Sequence, residues 1–323
     1  MSARLRIHAA GPHVSVQDGG RRGFLRFGVP QSGPMDRTAF QAANLALGQD
    51  AGRTGIEISL GGLVLDCLEG SVDYAVAGGG FRIRRNGRDH VSWHRARLCA
   101  GDRIEVRPGP WGSWCYLAFA GTLQVPLWLG SASTHSLSGF GGGRLTAGRE
   151  LLLEELRPDP LASARLPVPV WARPSGLAHV TIGPQEDCFS PAVLARLLTM
   201  PFRVTPAFDR MGMRLAGPDL TPEGALAIPS GPVARGAVQI AGDGVASVLM
   251  ADHQTTGGYP RIATILDADL DALAQMRPNE SLHFRALTPA QATGFARTRR
   301  QAVARYLAGI ARLGGVVASG RDR

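Results

Sequence analysis

The sequence contains no lysine, so every one of its 35 basic residues is an arginine. Biotin is carried on a lysine amine, and this chain cannot carry it. A lysine Schiff base is excluded for the same reason. So is a P-loop of the GxxxxGK[ST] type, whose lysine reaches the phosphates. Any nucleotide would have to be held by arginines, backbone amides or a partner. Cysteines are few and far apart, at Cys67, Cys99, Cys115 and Cys188, with no CxxC pair. They read as free thiols and not as a disulfide framework. The eight histidines show neither HxH nor HExxH spacing, and no metal site is expected. There is no G-x-S-x-G elbow, which argues against a serine hydrolase of that kind. Long apolar runs are missing too. Met1 to Ala10 has no signal-like core and no stretch reaches membrane-spanning length, so the expected location is the cytoplasm, with no membrane partner.

Charged residues make up only 19%, and the formal net charge is +9. The arginines are spread along the chain. The densest groups, Arg82–Arg88 and Arg297–Arg300, carry no interleaved aromatics. They read as solvated arginines, and no nucleic-acid partner is expected. Gly 42, Pro 22 and 44% hydrophobic residues describe a globular chain with many turns, which favours a β-rich architecture.

The two halves carry similar patterns in the same order. Gly62–Gly70 followed by Ser71–Val76 and the run Gly78-Gly79-Gly80 parallels Gly236–Gly244 followed by Val245–Met250 and Gly257-Gly258. Both read as a strand, a glycine hairpin turn and a second strand. Asp36-Arg37 parallels Asp209-Arg210, and Ala100–Val106 parallels Pro278–Phe284. An old duplication accounts for these matches, with shared hairpin chemistry as the alternative. The expected organisation is a first β lobe over 1–156, a Pro-rich linker over 157–176, a second β lobe over 177–287, and a C-terminal helix and tail over 288–323. Short helices are expected over Asp36–Leu47, with Asp36 as cap and Gly48 as stop, over Pro191–Leu198 and over Asp267–Met276. A longer amphipathic one is expected over Thr288–Ala311.

Four segments could carry chemistry. The loop from Gln17-Asp18 to Arg21, continuing to Asp36, sets an amide, a carboxylate and a guanidinium side by side. Such a set suits a small substrate with a carboxylate or amide, since arginine pairs with carboxylates in a bidentate manner. An internal Asp18–Arg21 brace is the alternative. In Asp252-His253-Gln254-Thr255-Thr256-Gly257-Gly258-Tyr259, polar side chains run into glycines that let a ligand approach the backbone. Ser133, Thr134, Gly141 and Gly142 fall in a hydroxyl- and glycine-rich stretch that could cradle a phosphate, or form only a turn. Asp209-Arg210-Met211-Gly212 could be an ion pair at a tight turn or part of a site.

The run VQDGGRRGFLRFGVPQSGPMD, the pair Ile56-Glu57, GSASTHSLSGFGGGRL, FDRMGMRLAG, GAVQI and ADHQTTGGYPRIATI together resemble the allophanate hydrolase subunit 2 family of biotin-dependent carboxyltransferases. This resemblance extends from about Arg6 to Phe284. It implies a mainly β fold of two cyclophilin-like β-barrel lobes with a few short helices. It implies a subunit of an ATP-dependent 5-oxoprolinase-type hydrolase acting on a small lactam or amide. The partners would be a B-type, Kip inhibitor-like subunit and an A-type hydrolase subunit. Under that reading Gln17, Arg21, Asp36, Arg210, Gln254, Thr255, Thr256, Gly257 and Tyr259 bind substrate. Asp18 and Glu57 transfer or orient protons, and Ser133, Thr134, Gly141 and Gly142 face a cofactor. The family also includes a urea-carboxylase-type carboxyltransferase, which would take its biotin from another chain, and a regulatory antagonist of a Kip-type inhibitor. Four positions depart from its pattern: His253 replaces an arginine, Gly80 and Gly231 replace acids, and Phe208 replaces a polar residue. An altered substrate or a reduced activity is expected from these changes.

Overall fold

The structure is a computed structural model describing residues 1–157, 160–223 and 228–315. The chain forms two compact units. The first comprises Met1–Arg21, Ser32–Arg173 and the residues from Ala302 on; the second comprises Arg22–Gln31 and Pro174–Gln301.

The first unit is built from two antiparallel sheets. The seven-stranded sheet runs, edge to edge, through Thr122–Leu123, Glu150–Glu154, Ala3–Ala10, Leu63–Glu69, Arg103–Arg107, Arg82–Arg85 and Arg88–Val91. Several of its strands alternate strictly. Leu5, Ile7, Ile104, Val106, Leu151 and Leu153 point inward, while Arg4, Arg6, Arg103 and Glu150 point to solvent. The six-stranded sheet runs through Ala164–Arg165, His94–Cys99, Ser71–Ala77, Cys115–Phe119, Gly55–Ile58 and Ser15–Gln17. Three of these strands, Ser71–Ala77, Cys115–Phe119 and Gly55–Ile58, are buried on both faces. One face joins the core shared with the first sheet. The other meets helix α1 (Arg37–Leu45), where Phe40 packs edge-on against Tyr116 at 5.6 Å.

The second unit is a closed seven-stranded barrel. Its order is Leu177–Ile182, Arg261–Ile265, Ala237–Ile240, Ala246–Leu249, Gly212–Ala216, Phe202–Phe208 and Ser281–Ala286. A parallel pairing of the first and last of these strands closes it, and closure leaves no unpaired sheet edge. Helices α2 (Pro191–Thr199), α3 (Asp267–Ala274) and α4 (Pro289–Leu313) complete the chain. The mainly β reading with short helices therefore holds, with the closed barrel in the second unit.

Asp36 caps α1 as expected, its Oδ1 accepting from Ala39 N at 2.9 Å. The paired-hairpin expectation holds in one half only. Ala237–Ile240 and Ala246–Leu249 do pair, with Gln239 opposite Ser247. Leu63–Glu69 and Ser71–Ala77 instead lie in different sheets. Gly70 alone separates them, too few residues to close a two-residue hairpin turn. It adopts φ +75° and steers the chain from one sheet to the other, and a Cβ there would strike the Ser2 carbonyl. Within the Pro-rich stretch over 157–176, residues 158–159 lie outside the described set. Ala164–Arg165 adds an edge strand beside His94–Cys99. In the C-terminal segment, residues 316–323 also lie outside the described residues. Among the described residues, no helix is long and apolar enough to cross a membrane.

His94, buried in the six-stranded sheet, gives the fold a pH dependence. Its Nδ1 lies 2.7 Å from the Val91 carbonyl and its Nε2 lies 3.3 Å from the Tyr74 hydroxyl. A carbonyl only accepts, so Nδ1 carries the proton and the hydroxyl donates to Nε2. Both nitrogens of the neutral ring are satisfied. Burial pushes its pKa down to about 4, whereas an unfolded histidine titrates near ~6.5. Between those values only the unfolded chain takes up the proton, so stability is intact above the upper one and falls as pH drops toward the lower. At about 1.4 kcal/mol per pKa unit, the loss approaches about 3 kcal/mol. Thermal melts from pH 7 to 4.5 should slope less steeply for His94→Gln than for the parent. Equal slopes would rule this out.

Candidate functional site

Two clusters of polar side chains are assembled, one in each unit. The first gathers around the loop that follows strand Ser15–Gln17. The Asp18 carboxylate is fully engaged. Its Oδ1 accepts from Gly20 N at 2.9 Å, Ser131 Oγ at 2.7 Å and Ser133 Oγ at 2.6 Å, and its Oδ2 accepts from Ala132 N at 2.6 Å. Short charge-assisted bonds of this kind hold a loop firmly. Asp18 therefore ties Gln17–Arg21 to Ser131–Thr134, and its lone pairs are directed at the chain itself. Arg21 is almost wholly buried at 1% exposure, stacked 4.3 Å from the Trp128 ring. Its Nε donates to the Trp128 carbonyl at 2.8 Å and its Nη2 to the Ser133 carbonyl at 2.7 Å. Gln17 donates to Ser15 Oγ and to the Thr134 carbonyl. Its Oε1 is buried and has no hydrogen-bond partner among the described residues.

The hydroxyl- and glycine-rich stretch faces inward. Ser133 Oγ donates to Asp18 and Thr134 Oγ1 to the Val16 carbonyl. Gly142 N donates to the Ala132 carbonyl and Gly143 N to Thr134 Oγ1. A Cβ at Gly141 would strike the Ser133 carbonyl, and one at Gly142 would lie 2.6 Å from the Val16 Cβ. These glycines serve close packing of two chain segments, and the two amides are spent within the protein. Of the residues expected to face a cofactor, Ser133, Thr134 and Gly142 thus spend donors within the protein.

Glu57 is completely buried behind the loop that ends at Asp36. Its Oε2 accepts from Met35 N at 2.8 Å and from the Tyr116 hydroxyl at 3.1 Å. Tyr116 Oη in turn accepts from Asp36 N at 2.6 Å. Burial first, and then the Glu57 charge, holds the phenol pKa well above its usual value, so it stays a donor. Glu57 and Tyr116 thus hold the backbone of Met35–Asp36, while the Asp36 carboxylate caps α1. Tyr116 was not legible as part of this set, because its strand reads as plain core.

The second cluster lies at one end of the barrel. Arg210 and Asp252 form a bidentate pair, Nε to Oδ2 at 2.8 Å and Nη2 to Oδ1 at 2.9 Å, with side-chain exposures of 2% and 0%. The pair clips the turn before strand Gly212–Ala216 to the loop that starts at Asp252. His253 is buried with Nδ1 2.6 Å from the Gln254 carbonyl. Nδ1 therefore carries the proton and Nε2 keeps its lone pair. Burial lowers its pKa, so the ring is neutral near pH 7.

Gln254 Nε2 donates to Gln239 Oε1 at 3.0 Å. Gln239 sits on strand Ala237–Ile240 at 4% exposure, and its Nε2 has no hydrogen-bond partner among the described residues. A Cβ at Gly257 would lie 2.7 Å from that nitrogen. Bare backbone therefore flanks a buried amide that still has donors to give. Thr256–Gly257 pairs with Gly231–Pro232, and Thr256 and Tyr259 are exposed. Gln239 was missed from sequence; its one signal is a polar residue within the apolar run Ala-Val-Gln-Ile. Of the expected substrate residues, Gln17, Arg21 and Asp36 fall in the first unit, and Arg210, Gln254, Thr255, Thr256, Gly257 and Tyr259 in the second. Among the described residues, no group of three or more His, Cys, Asp or Glu is placed to hold a metal ion.

The departures also have defined places. A Cβ at Gly80 would run into the Trp111 indole, so that ring occupies the space an acidic side chain would need. A Cβ at Gly231 would meet nothing.

Comparison with known proteins matches residues 27–286 to the family described as carboxyltransferase domain, subdomain A and B. The chain is 35% identical to the C-type subunit of 5-oxoprolinase from Escherichia coli (strain K12), covering 87% of this chain and 90% of that one. Urea amidolyase of Saccharomyces cerevisiae is 29% identical over 87% of this chain, but only 16% of the larger protein is spanned. Among solved structures, the K. lactis urea amidolyase superposes with a TM-score of 0.81 at 27% identity, covering 94% of this chain and 20% of that one. The crystal structure of TTHA0988 gives a TM-score of 0.79 at 34% identity, covering 88% of this chain and 56% of that one. The chain thus spans nearly all of the bacterial relative, about half of one solved relative and a fifth of another. With most of its length matched, the chain belongs to the carboxyltransferase domain, subdomain A and B, family.

Proposed function

We propose that the protein is one subunit of a 5-oxoprolinase-type complex that opens a small lactam or amide at the expense of ATP, with a B-type partner subunit and an A-type hydrolase subunit. The observation that carries this reading is the buried Gln239 amide, bonded to the half-buried Gln254 beside Gly257. A carboxamide with a free N–H in a water-poor site is matched by a carbonyl oxygen, and a lactam or amide supplies one. Neutral His253, with a lone pair on Nε2, is a nearby proton acceptor of the right kind. The similarity to the C-type subunit of 5-oxoprolinase over nearly its full length supports the same class. ATP is assigned to the complex, because this chain has no lysine for a P-loop and its glycine stretch turns amides inward.

The test is ATP hydrolysis by the co-purified subunits with and without 5-oxoproline, for the parent chain and for Gln239→Leu. Stimulation by the lactam should be lost by about tenfold or more in the variant, since a site built to hydrogen-bond a group suffers when the partner is removed. Absence of stimulation by any lactam in the parent complex would sink the proposal. A second reading is a carboxyltransferase of the urea amidolyase type, favoured by the fold match to that enzyme. It requires biotin on a separate chain, and transfer from a biotinylated carrier would reveal it.

A further inference from the structure

The first unit contains a cavity of about 700 Å³ that none of the residues discussed above as a site explains, except at its edge by Gly80. Its volume falls in the range of small-molecule sites. Its lining includes Phe81, Trp93 and Trp111, of which Phe81 and Trp93 are buried behind the surface and Trp111 is partly exposed, together with Val168-Pro169-Val170. Two arginines, Arg82 and Arg173, complete the lining, and no carboxylate is among the lining residues. Arg173 stacks over the Trp111 ring at 5.1 Å. Asp89, which feels the charge of Arg82, is bonded to Arg84 at 2.9 Å. Both lining guanidinia therefore keep donors for a ligand.

The cavity is built, not left over. Trp93 holds φ +67°, a left-handed backbone that a bulky residue avoids at a cost of about 1–2 kcal/mol. Its indole N–H donates to the Gly79 carbonyl at 2.9 Å, and Ser92 Oγ donates to the same oxygen at 2.7 Å. Trp111 is fixed in turn, since its carbonyl accepts from Gly80 N at 2.8 Å and its indole lies on the space left by the missing Gly80 side chain. Backbone strain retained at a cavity wall is a recurrent mark of ligand sites.

We infer that this cavity binds a small ligand with a planar ring and one anionic oxygen-bearing group, the ring against the partly exposed Trp111 indole and the anion at Arg82 and Arg173. Aromatic walls take up a ring face. Guanidinia hold carboxylate or phosphate in a bidentate manner and keep their charge at every relevant pH. Gly80 and Trp111 act together as specificity determinants, because an acidic side chain at 80 would both displace the indole and cancel the positive charge.

Nicotinate and nicotinamide share one ring and differ in charge, which makes them suitable probes for the full-length chain at low salt. Binding is read from intrinsic tryptophan fluorescence and from ligand-detected NMR. Nicotinate should bind saturably and at least tenfold more tightly than nicotinamide. The double variant Arg82→Gln/Arg173→Gln, altered only at exposed side chains, should erase that preference. Gly80→Asp should abolish nicotinate binding. Should Gly80→Asp fail to fold, the double arginine variant decides alone. Equal binding of the two probes, no binding of either, or an unchanged preference in the double variant each overturns the inference. Inorganic phosphate displacing nicotinate at equal concentration overturns the ring requirement. The measurement needs no partner subunit and no turnover, so its failure leaves the proposed activity standing.

Discussion

Replacing Asp252 by alanine will destabilise the second unit by about 3–5 kcal/mol, because it removes the carboxylate from a buried guanidinium. Arg210 and Asp252 face each other through two short parallel bonds with almost no solvent exposure. The backbones are tied as well, Asp252 N donating to the Arg210 carbonyl at 2.7 Å. In the parent each charge offsets the desolvation of the other. In the variant a cation must stay in a water-poor site or drag its turn outward. The unfolding midpoint should fall by on the order of 10 °C in calorimetry of the full chain. Arg210→Met/Asp252→Leu should recover most of that fall, since an apolar pair of similar size has no charge to desolvate. A double variant no more stable than Asp252→Ala would show that the loss came from packing and not from charge.

Asp18→Ala should cost about 3 kcal/mol or more. Four donors lose their common acceptor, three of them on the segment Ser131–Ser133. These bonds act on one loop and are not additive, so the figure is a lower bound and not a sum. The damage should spread to Arg21, whose own acceptors are the Trp128 and Ser133 carbonyls at the ends of that loop. Asp18→Asn separates bracing from proton transfer. An amide offers one acceptor oxygen and turns an NH2 toward groups that are themselves donors. A brace predicts that the melting midpoint and the turnover of the reconstituted complex drop together. Full thermal stability combined with lost turnover would instead make Asp18 a reacting group.

How far the sequence is legible can be judged at particular residues. The alternation of Leu5 and Ile7 with Arg4 and Arg6 announces a half-buried strand, and Asp36 announces the start of α1. Both signals lie within a few adjacent residues. The segment Gly62–Gly70 misleads, because its local pattern matches a hairpin while Gly70 carries the chain into another sheet. Ser133, Thr134, Gly141 and Gly142 are open to two readings in sequence. Hydroxyls and glycines in sequence look like donors for a phosphate, yet in the fold they pack against Val16 and Asp18. Gln239 carries only the weak signal of one polar residue in an apolar strand.

By itself, the sequence determined the mainly β character, the helix starts, the absence of lysine chemistry and the membership of a family, because composition, period and turn chemistry are properties of short stretches. Only the tertiary structure decided which polar groups meet. Asp18 finds Ser131 across 113 residues, Glu57 finds Tyr116 across 59 and Arg210 finds Asp252 across 42. Such pairings follow from strand order and register, which no local pattern encodes. The same holds for the cavity at Gly80. A glycine at that position shows in the sequence, whereas the indole of Trp111 that fills its place appears only once two distant segments are pressed backbone to backbone.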